Sequence, residues 1–219
     1  MNRLVKAVIF DLDGVLVTTD ELHYRAWKAL ADELEIKGFT KEDNIRQRGV
    51  SRMASLEVVL EKTDKQFTQE EKIELADKKN EIYVRSLDSL SPLDLLPGVN
   101  EFIKFLSDKK IKTAIGSASK NTPLILEKTE IKNKFDAISC GLDTSKSKPD
   151  PEVFLIAAEK LGVEPNECVV IEDSDAGIQA AKAGGMYAVA VGAAVNNMLA
   201  DYRADSLDKW DYNNIELFI

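Results

Sequence analysis

The feature that most constrains the fold is a regular alternation of short apolar segments and helical segments between residues 99 and 191. The apolar segments are short and rich in β-branched residues, whereas the others carry apolar residues at helical spacing. In chain order, the predicted helices and strands cover 99–106, 112–115, 122–128, 135–139, 151–161, 167–171, 176–183 and 187–191. Such alternation implies right-handed crossovers, and therefore a parallel sheet with helices on both faces.

A helical segment interrupts this pattern near its beginning. The apolar run from Leu4 to Phe10 predicts a first, buried strand. Residues 20–87 then contain many Glu and Lys residues, with apolar residues at helical spacing, and we predict four helices there. We therefore predict a Rossmann-like α/β core with an inserted α-helical cap, the core formed by residues 1–17 and 92–219 and the cap by residues 18–91.

Composition excludes several classes of protein. The chain has 219 residues and a formal net charge of −9, which argues against a nucleic-acid partner. Its longest apolar stretch, residues 187–195, is far shorter than the roughly 20 residues that span a membrane. Cys140 and Cys168 have neither CxxC spacing nor a nearby histidine, so we expect reduced thiols and a cytoplasmic location. We expect a monomer.

Polar side chains follow four of the predicted strands. Because the carboxyl ends of parallel strands meet at one edge, we expect these side chains to share a crevice. In chain order the polar residues at these strand ends are Asp11, Asp13, Ser117, Ser119, Lys120, Asn121, Lys148, Glu172 and Asp173, with Ala118 lying between Ser117 and Ser119.

The chemistry of this set points to phosphoryl transfer. Four carboxylates would repel one another unless a cation lay among them, and oxygen ligands suit Mg²⁺ better than zinc. Lys148 adds a positive charge, and Ser117 can donate to phosphoryl oxygens. Of the two carboxylates at the end of the first strand, Asp11 and Asp13, one could attack phosphorus while the other handles the proton.

Four motifs resemble those of the haloacid dehalogenase superfamily of phosphotransferases. They occur in the superfamily's order, and the helical insertion resembles its cap. The motifs are Phe10-Asp11-Leu12-Asp13-Gly14-Val15, Ser117, Lys148-Pro149 and Glu172-Asp173-Ser174 with Gly177. Within the superfamily the chain is most similar to the sugar-phosphate mutases, over nearly its whole length. That similarity extends to His23–Leu30, Gly49–Arg52, Lys79-Asn80 and Ser117–Asn121.

The resemblance implies a role for each motif residue. Asp11 would be the phosphorylated nucleophile and Asp13 the general acid/base. The implied Mg²⁺ ligands are Asp11, Glu172 and Asp173 through their side chains, and Asp13 through its backbone carbonyl. Ser117 and Lys148 would bind the transferring phosphoryl group. The implied binding residues for the phosphate that stays on the sugar are Arg52, Ser119, Lys120 and Asn121, with Ala118 in the same substrate loop. Thr19, His23 and Lys79 would couple cap closure to the readiness of Asp13.

The implied reaction converts β-glucose 1-phosphate to glucose 6-phosphate. It would pass through an aspartyl phosphate and β-glucose 1,6-bisphosphate, which also serves as the phosphoryl donor. Two alternatives remain at this point. One is a Mg²⁺-dependent sugar-phosphate phosphatase on the same fold, since fold and core motifs do not separate the two activities. The other is a non-enzymatic binding protein, which the presence of Asp11, Lys148 and the Glu172-Asp173 pair disfavours.

Overall fold

A parallel sheet forms the centre of the computed structural model, which describes residues 5–218. Among these residues the strands are β1 (Ala7–Phe10), β2 (Lys112–Gly116), β3 (Ala137–Ser139), β4 (Cys168–Glu172), β5 (Tyr187–Ala190) and β6 (Tyr202–Arg203). Their order across the sheet is β3-β2-β1-β4-β5-β6, and every pair is parallel. Leu4, the start of the predicted first strand, lies outside the described residues. The two-residue edge strand β6 was not predicted.

The helices follow the predicted order closely. They are α1 (Asp20–Glu33), α2 (Lys41–Ile45), α3 (Arg52–Leu60), α4 (Gln69–Ser86), α5 (Val99–Asp108), α6 (Thr122–Lys128), α7 (Glu152–Leu161) and α8 (Asp175–Ala183). The four helices predicted for the insertion are α1–α4, and α5–α8 alternate with the strands. The predicted α/β fold is therefore confirmed. Within the described part of the chain, no helix is both long and apolar enough to cross a bilayer.

The sheet is buried on both faces because its strands are apolar at successive positions. Along β1, Phe10 faces a cluster that includes Phe102 of α5, and the two rings meet edge to face at a centroid distance of 5.7 Å. The neighbouring Ile9 points to the opposite face and joins a cluster that includes Phe154 of α7. Successive side chains of a strand point to opposite faces. The continuous apolar run of β1 therefore fits a central strand covered by helices on both sides.

Helices α1, α3 and α4 share an apolar cluster of their own, apart from the two clusters on the sheet. Trp27 and Leu30 of α1 pack there with Leu56 and Val59 of α3 and with Ala76 of α4. The Ser51 side chain caps α3 by accepting a hydrogen bond from the Ala54 amide at 3.2 Å. The helical insertion (α1–α4) thus has an apolar core that is independent of the sheet.

Both cysteines are buried, and neither forms a disulfide. Burial, with Glu167 and Glu164 nearby, raises the pKa of Cys168 to about 12. This thiol therefore stays protonated and unreactive at neutral pH.

Candidate active site

The carboxyl ends of β1 and β4 bring four carboxylates to one edge of the sheet. Asp11 directly follows β1, and Asp13 comes two residues later, in a turn where Gly14 has a φ of +82°. A Cβ atom at Gly14 would lie 2.0 Å from Asp173 Oδ2, so a side chain does not fit there. β4, which pairs with β1, ends at Glu172 and leads directly into Asp173. Two neighbouring strands therefore supply all four groups.

The Lys148 ammonium lies between two of these carboxylates. Its Nζ is 2.6 Å from Asp11 Oδ1 and 2.6 Å from Glu172 Oε1, and its side chain is fully buried. The Ser174 amide and hydroxyl donate to the other oxygen of Glu172 at 2.7 and 2.9 Å. Burial alone would lower the pKa of Lys148, but the two carboxylates outweigh it and hold that pKa above its usual value. Lys148 is therefore a permanent positive charge beside Asp11.

Three of the carboxylates form a compact, buried group that fits a metal ion. One oxygen each from Asp11, Glu172 and Asp173 (the carboxylate cluster) lies within 4.8 Å of the others. Burial, opposed by Lys148 and reinforced by Glu172, raises the pKa of Asp11 to about 7. Burial together with Glu172 and Asp11 raises the pKa of Asp173 to about 9. A divalent cation would relieve this repulsion, and a donor set made only of carboxylate oxygens suits Mg²⁺.

Gly177→Ala is expected to weaken Mg²⁺ binding by at least about tenfold. A Cβ atom at Gly177, on α8, would lie 1.9 Å from Glu172 Oε1. The Glu172 carboxylate must then move, and its contact with Lys148 is lost. Isothermal titration with Mg²⁺ measures the change. Gly184→Ala is the control because its Cβ would meet nothing closer than Pro151 Cβ at 3.2 Å. Equal Mg²⁺ affinity in the two variants would contradict the prediction.

The insertion reaches Asp13 through a short chain of hydrogen bonds. The Thr19 amide donates to Asp13 Oδ1 at 3.2 Å, and the Thr19 hydroxyl donates to the same oxygen. Tyr83 of α4 donates in turn to the Thr19 hydroxyl at 3.0 Å. Burial raises the pKa of Asp13 to about 6, although the hydrogen bond from Thr19 opposes the shift. Asp13 is thus held in a fixed orientation with a proton affinity close to neutral pH.

The half-buried His23 and the buried Lys79 form a pair inside the insertion. Lys79 Nζ is 2.8 Å from His23 Nδ1 and lies over the Trp27 ring, 4.5 Å from its centroid. The His23 ring stacks on Tyr83 at a centroid distance of 4.0 Å. Burial, with the charge of Lys79, lowers the pKa of His23 well below its usual value. A neutral imidazole can accept a hydrogen bond from the Lys79 side chain at Nδ1. Burial, with Arg52, lowers the pKa of Lys79 to about 7.

The depressed pKa of Lys79 contributes a gain in stability as the pH rises above neutrality. Between pH 7 and about 10 the unfolded chain keeps the lysine proton that the folded chain has lost, so at this residue the unfolded state binds more protons. Lys79 alone should raise the free energy of unfolding by up to about 1.4 kcal/mol per pH unit in this window, whereas Asp173, with its pKa raised to about 9, acts in the opposite direction up to that pH. Below pH 7 both states are protonated, and this gain is absent.

Urea unfolding of Lys79→Met at pH 7 and pH 9 measures this contribution. The change in the free energy of unfolding from pH 7 to pH 9 should be less positive in the variant than in the unmodified protein. Lys78→Met is the matched control, because Lys78 is an exposed neighbour that pairs with Glu33. An equal change in Lys79→Met and in the unmodified protein would contradict the pKa shift.

A second polar group lies where α3, α4 and the loop after β2 meet. Asn80 Oδ1 accepts from Arg52 Nη2 at 2.8 Å and from Asn121 Nδ2 at 2.8 Å. Arg52 Nη1 is also 3.3 Å from Asp77. The backbone N–H of Asn121 donates to the Ser119 hydroxyl at 3.2 Å, and this bond orders the loop after β2. Arg52, Asn80 and Asn121 (the distal cluster) thus join the insertion to the core.

One cavity of about 550 Å³ connects the carboxylate cluster with the distal cluster. Most residues predicted for the site line it: Asp11, Asp13, His23, Arg52, Lys79, Ser117, Ala118, Ser119, Lys120, Asn121 and Asp173. Thr19, Lys148 and Glu172 lie behind the residues that line it. Thr19 bonds to Asp13, Lys148 bonds to Asp11, and Glu172 accepts from Lys148. The structure therefore brings all the predicted site residues into one place.

Sequence reasoning missed several residues at this cavity. No role was predicted for Asn80 and Asp20, which line it, or for Tyr83, which lies behind it and bonds to Thr19. Asp20 pairs with Arg48, whose side chain is half-buried. The adjacent Gly49 has a φ of +71°, and a Cβ atom there would lie 2.5 Å from the Ser174 hydroxyl of the core. The loop between α2 and α3 therefore contacts the core at the carboxyl end of β4. The only sequence signal for this loop was the Gly49–Arg52 stretch at its end.

Fold and site together define the class of this protein. It is an α/β enzyme whose central strand ends in an aspartate, beside a buried lysine and a carboxylate cluster that fits Mg²⁺. The chain belongs to the haloacid dehalogenase-like hydrolase family, whose sequence model matches residues 5–185. The resemblance predicted from the four motifs is thus confirmed.

Individual relatives narrow the comparison. The chain is 44% identical to the β-phosphoglucomutase of Bacillus subtilis over 190 residues, 86% of this chain and 84% of that protein. It is 31% identical to the phosphorylated carbohydrates phosphatase of Thermotoga maritima, covering 83% of this chain and 82% of that one. The crystal structure of β-phosphoglucomutase from Clostridium difficile superimposes with a TM-score of 0.92 at 36% identity, covering 98% and 97% of the two chains.

Proposed function

We propose that this protein is a Mg²⁺-dependent mutase that interconverts β-glucose 1-phosphate and glucose 6-phosphate. The observation that carries the proposal is that a single cavity has phosphate-binding donors at both ends. At the nucleophile end Ser117 lines the cavity and Lys148 lies behind Asp11, and at the other end Arg52 and Asn121 belong to the distal cluster. A hydrolase of monophosphates needs donors at one end only, whereas a bisphosphate intermediate needs both. The 44% identical relative is itself a β-phosphoglucomutase.

Asp11 acts as the nucleophile in this proposal. Its carboxylate attacks phosphorus, and the bond from phosphorus to the sugar oxygen breaks. Repulsion between the carboxylate and the phosphate dianion opposes this attack, and Lys148, 2.6 Å from Asp11, reduces that repulsion. Mg²⁺ bound by the carboxylate cluster and the Asp13 carbonyl would supply further neutralisation. Ser117, at the cavity wall, would donate to the transferring group.

Asp13 moves the proton. When a sugar phosphate meets phosphorylated Asp11, its hydroxyl oxygen attacks phosphorus, the bond from phosphorus to the Asp11 oxygen breaks, and Asp13 accepts the hydroxyl proton. The products are the bisphosphate and the free Asp11 carboxylate. The bisphosphate then reorients in the cavity. Asp11 attacks its other phosphoryl group, and Asp13 returns the proton to the departing sugar oxygen. A pKa of about 6 suits both directions near neutral pH. Thr19 keeps the carboxylate aimed at the cavity.

We propose that the insertion, residues 18–91, acts as a cap over the active site. It keeps water from the aspartyl phosphate. A mutase must suppress hydrolysis between its two half-reactions, and a closed cap does so. Ser119, Lys120 and Asn121 of the core, with Arg52 of the cap, would hold the phosphate that stays on the sugar. His23 and Lys79 would link cap position to Asp13 through Tyr83 and Thr19.

A ³¹P NMR time course tests the proposal directly. The sample holds the protein, Mg²⁺, β-glucose 1-phosphate and a trace of glucose 1,6-bisphosphate. Growth of the glucose 6-phosphate signal without matching inorganic phosphate is expected. Inorganic phosphate released in step with substrate loss would instead establish the phosphatase, the activity of the Thermotoga maritima relative.

Arg52→Ala is expected to reduce mutase turnover more than hydrolysis of p-nitrophenyl phosphate. The arginine would bind a phosphate that the aryl ester lacks, so its loss should cost about tenfold or more on the sugar phosphate alone. Parallel kcat/KM measurements on the two substrates give the ratio. An equal loss on both substrates would contradict the assignment of Arg52 to the second phosphate.

The assembly and location of the chain stay predictions. We propose a cytoplasmic monomer, supported by the two buried, unpaired cysteines. Light scattering of the purified protein and cell fractionation would test the two parts separately.

A further inference from the structure

Asn80 is the contact point between the insertion and the core at the distal cluster. Its single carboxamide oxygen accepts from Arg52 Nη2 on α3 and from Asn121 Nδ2 in the core loop, each at 2.8 Å. The side chain is half-buried, and the residue lines the cavity. One oxygen therefore holds together two donors from different parts of the fold.

The Asn80 oxygen accepts the hydrogen bonds that a phosphate oxygen could also accept from Arg52 and Asn121. Both of its donors, Arg52 and Asn121, are among the groups that the proposed function assigns to the second phosphate. With the distal site empty of phosphate, the half-buried guanidinium and carboxamide would otherwise lose this shared acceptor, and donors that are partly shielded from water are less stable without one. A neutral carboxamide satisfies them without adding a negative charge that would repel an incoming phosphate.

We propose that Asn80 is a positioning and specificity-determining residue, which stands in for the second phosphate. It holds the insertion on the core while no phosphate is bound at the distal cluster, and releases Arg52 and Asn121 to the phosphate of an arriving sugar phosphate. This inference rests on the proposed function for the identity of that phosphate.

Asn80 would also affect which substrates the cavity accepts. A substrate with a distal phosphate replaces the Asn80 oxygen with a charged acceptor, so opening the contact is compensated by stronger bonds. A small monophosphate offers no replacement, so it must open the cavity against the Asn80 contacts. The same contacts would keep water from the aspartyl phosphate when the sugar has left. Asn80 would thus favour mutase chemistry over hydrolysis.

Two variants at this position separate the contact from phosphate binding. Asn80→Ala removes the acceptor, and kcat/KM for p-nitrophenyl phosphate hydrolysis should rise by roughly 3- to 30-fold, the range of one or two ordinary hydrogen bonds. Asn80→Asp keeps an acceptor oxygen for Arg52 and Asn121, so aryl phosphate hydrolysis should not rise. Its negative charge competes with phosphate, so KM for β-glucose 1-phosphate should rise about tenfold with kcat changed less.

Glu81→Gln is the matched control, because Glu81 is the exposed neighbour of Asn80 on α4. It should match the unmodified protein in both assays. Amide hydrogen exchange over residues 48–56 and 117–121 gives a readout that needs no substrate. Exchange should quicken in Asn80→Ala and stay near normal in Asn80→Asp. If Asn80→Ala does not fold, the KM of Asn80→Asp still decides.

The proposal is overturned if Asn80→Ala leaves aryl phosphate hydrolysis and exchange unchanged, or if Asn80→Asp affects both substrates equally. Failure of the mutase proposal looks different. If the sugar phosphate is hydrolysed rather than isomerised, the same comparison of Asn80 variants, read by phosphate release, still supports or overturns the role of Asn80.

Discussion

Asp11→Asn is expected to abolish turnover of every phosphate ester, by on the order of 10⁴-fold or more, as the removal of a nucleophile does in other enzymes. An amide oxygen carries no negative charge and cannot form the aspartyl phosphate. The loss should be the same for β-glucose 1-phosphate and for p-nitrophenyl phosphate, because both would need this intermediate. ³¹P NMR gives the rate of conversion of the sugar phosphate, and the release of nitrophenol gives the rate of aryl phosphate hydrolysis.

The variant should remain folded, which makes the result interpretable. Asn has nearly the shape of Asp, and Lys148 keeps its 2.6 Å contact with Glu172. Circular dichroism and thermal unfolding check this point. Asp175→Asn is the matched control, since Asp175 is an exposed acid at the start of α8 whose carboxylate accepts from Asn197 at 2.6 Å. Residual turnover of Asp11→Asn near that of Asp175→Asn would contradict the role of Asp11 as nucleophile.

The fold was predictable because its signals are local. Apolar runs such as β1 and the helical spacing of the segments between the strands identify each element from its own residues. The predicted 122–128 agrees with α6, and the other core elements differ from prediction by a few residues at their ends. β6 carries no such signal, because two residues are too few for a periodicity. Its pairing with β5 is set by the tertiary fold.

The candidate site was predictable where its residues directly follow strands. Asp11, Asp13, Glu172 and Asp173 are placed by β1 and β4, so the parallel arrangement alone brings them together. The roles assigned to them stay predictions that the variants above test. Residues placed by packing of the insertion gave little signal. Tyr83 contacts Thr19 across 64 positions of sequence, a distance over which helical spacing says nothing about contact.

The same limit applies to the contacts between insertion and core. Asn80 stands in an ordinary charged helix, and only the docked position of α4 puts its oxygen between Arg52 and Asn121. The pairing of Asp20 with Arg48 likewise depends on how α1 meets the loop before α3. Motifs therefore locate the chemistry at the strand ends, whereas the groups that select a substrate become visible only in three dimensions.

Asp13→Asn is expected to reduce turnover of β-glucose 1-phosphate by about 10²- to 10⁴-fold, the usual range for a general acid/base. The amide can still accept from the Thr19 hydroxyl, which donates to the Asp13 carboxylate, so the orientation of residue 13 should persist. It can neither take a proton from a sugar hydroxyl nor return one. The sugar oxygen would then have to leave as an alkoxide without receiving a proton, and in the other direction the hydroxyl would have to attack without a base. Asp13→Asn should therefore bind the sugar phosphate normally and turn it over slowly.

A second substrate distinguishes proton transfer from positioning. Nitrophenolate is a stable leaving group that needs little protonation, so phosphorylation of Asp11 by p-nitrophenyl phosphate should be far less affected than the sugar reaction. The burst of nitrophenol in a rapid-mixing experiment measures that step alone. The Asp13 backbone carbonyl, which the substitution leaves in place, should keep its proposed contact with Mg²⁺. If the burst slows as much as the sugar reaction does, the effect lies in the geometry of the turn around Gly14 rather than in the proton carried by Asp13.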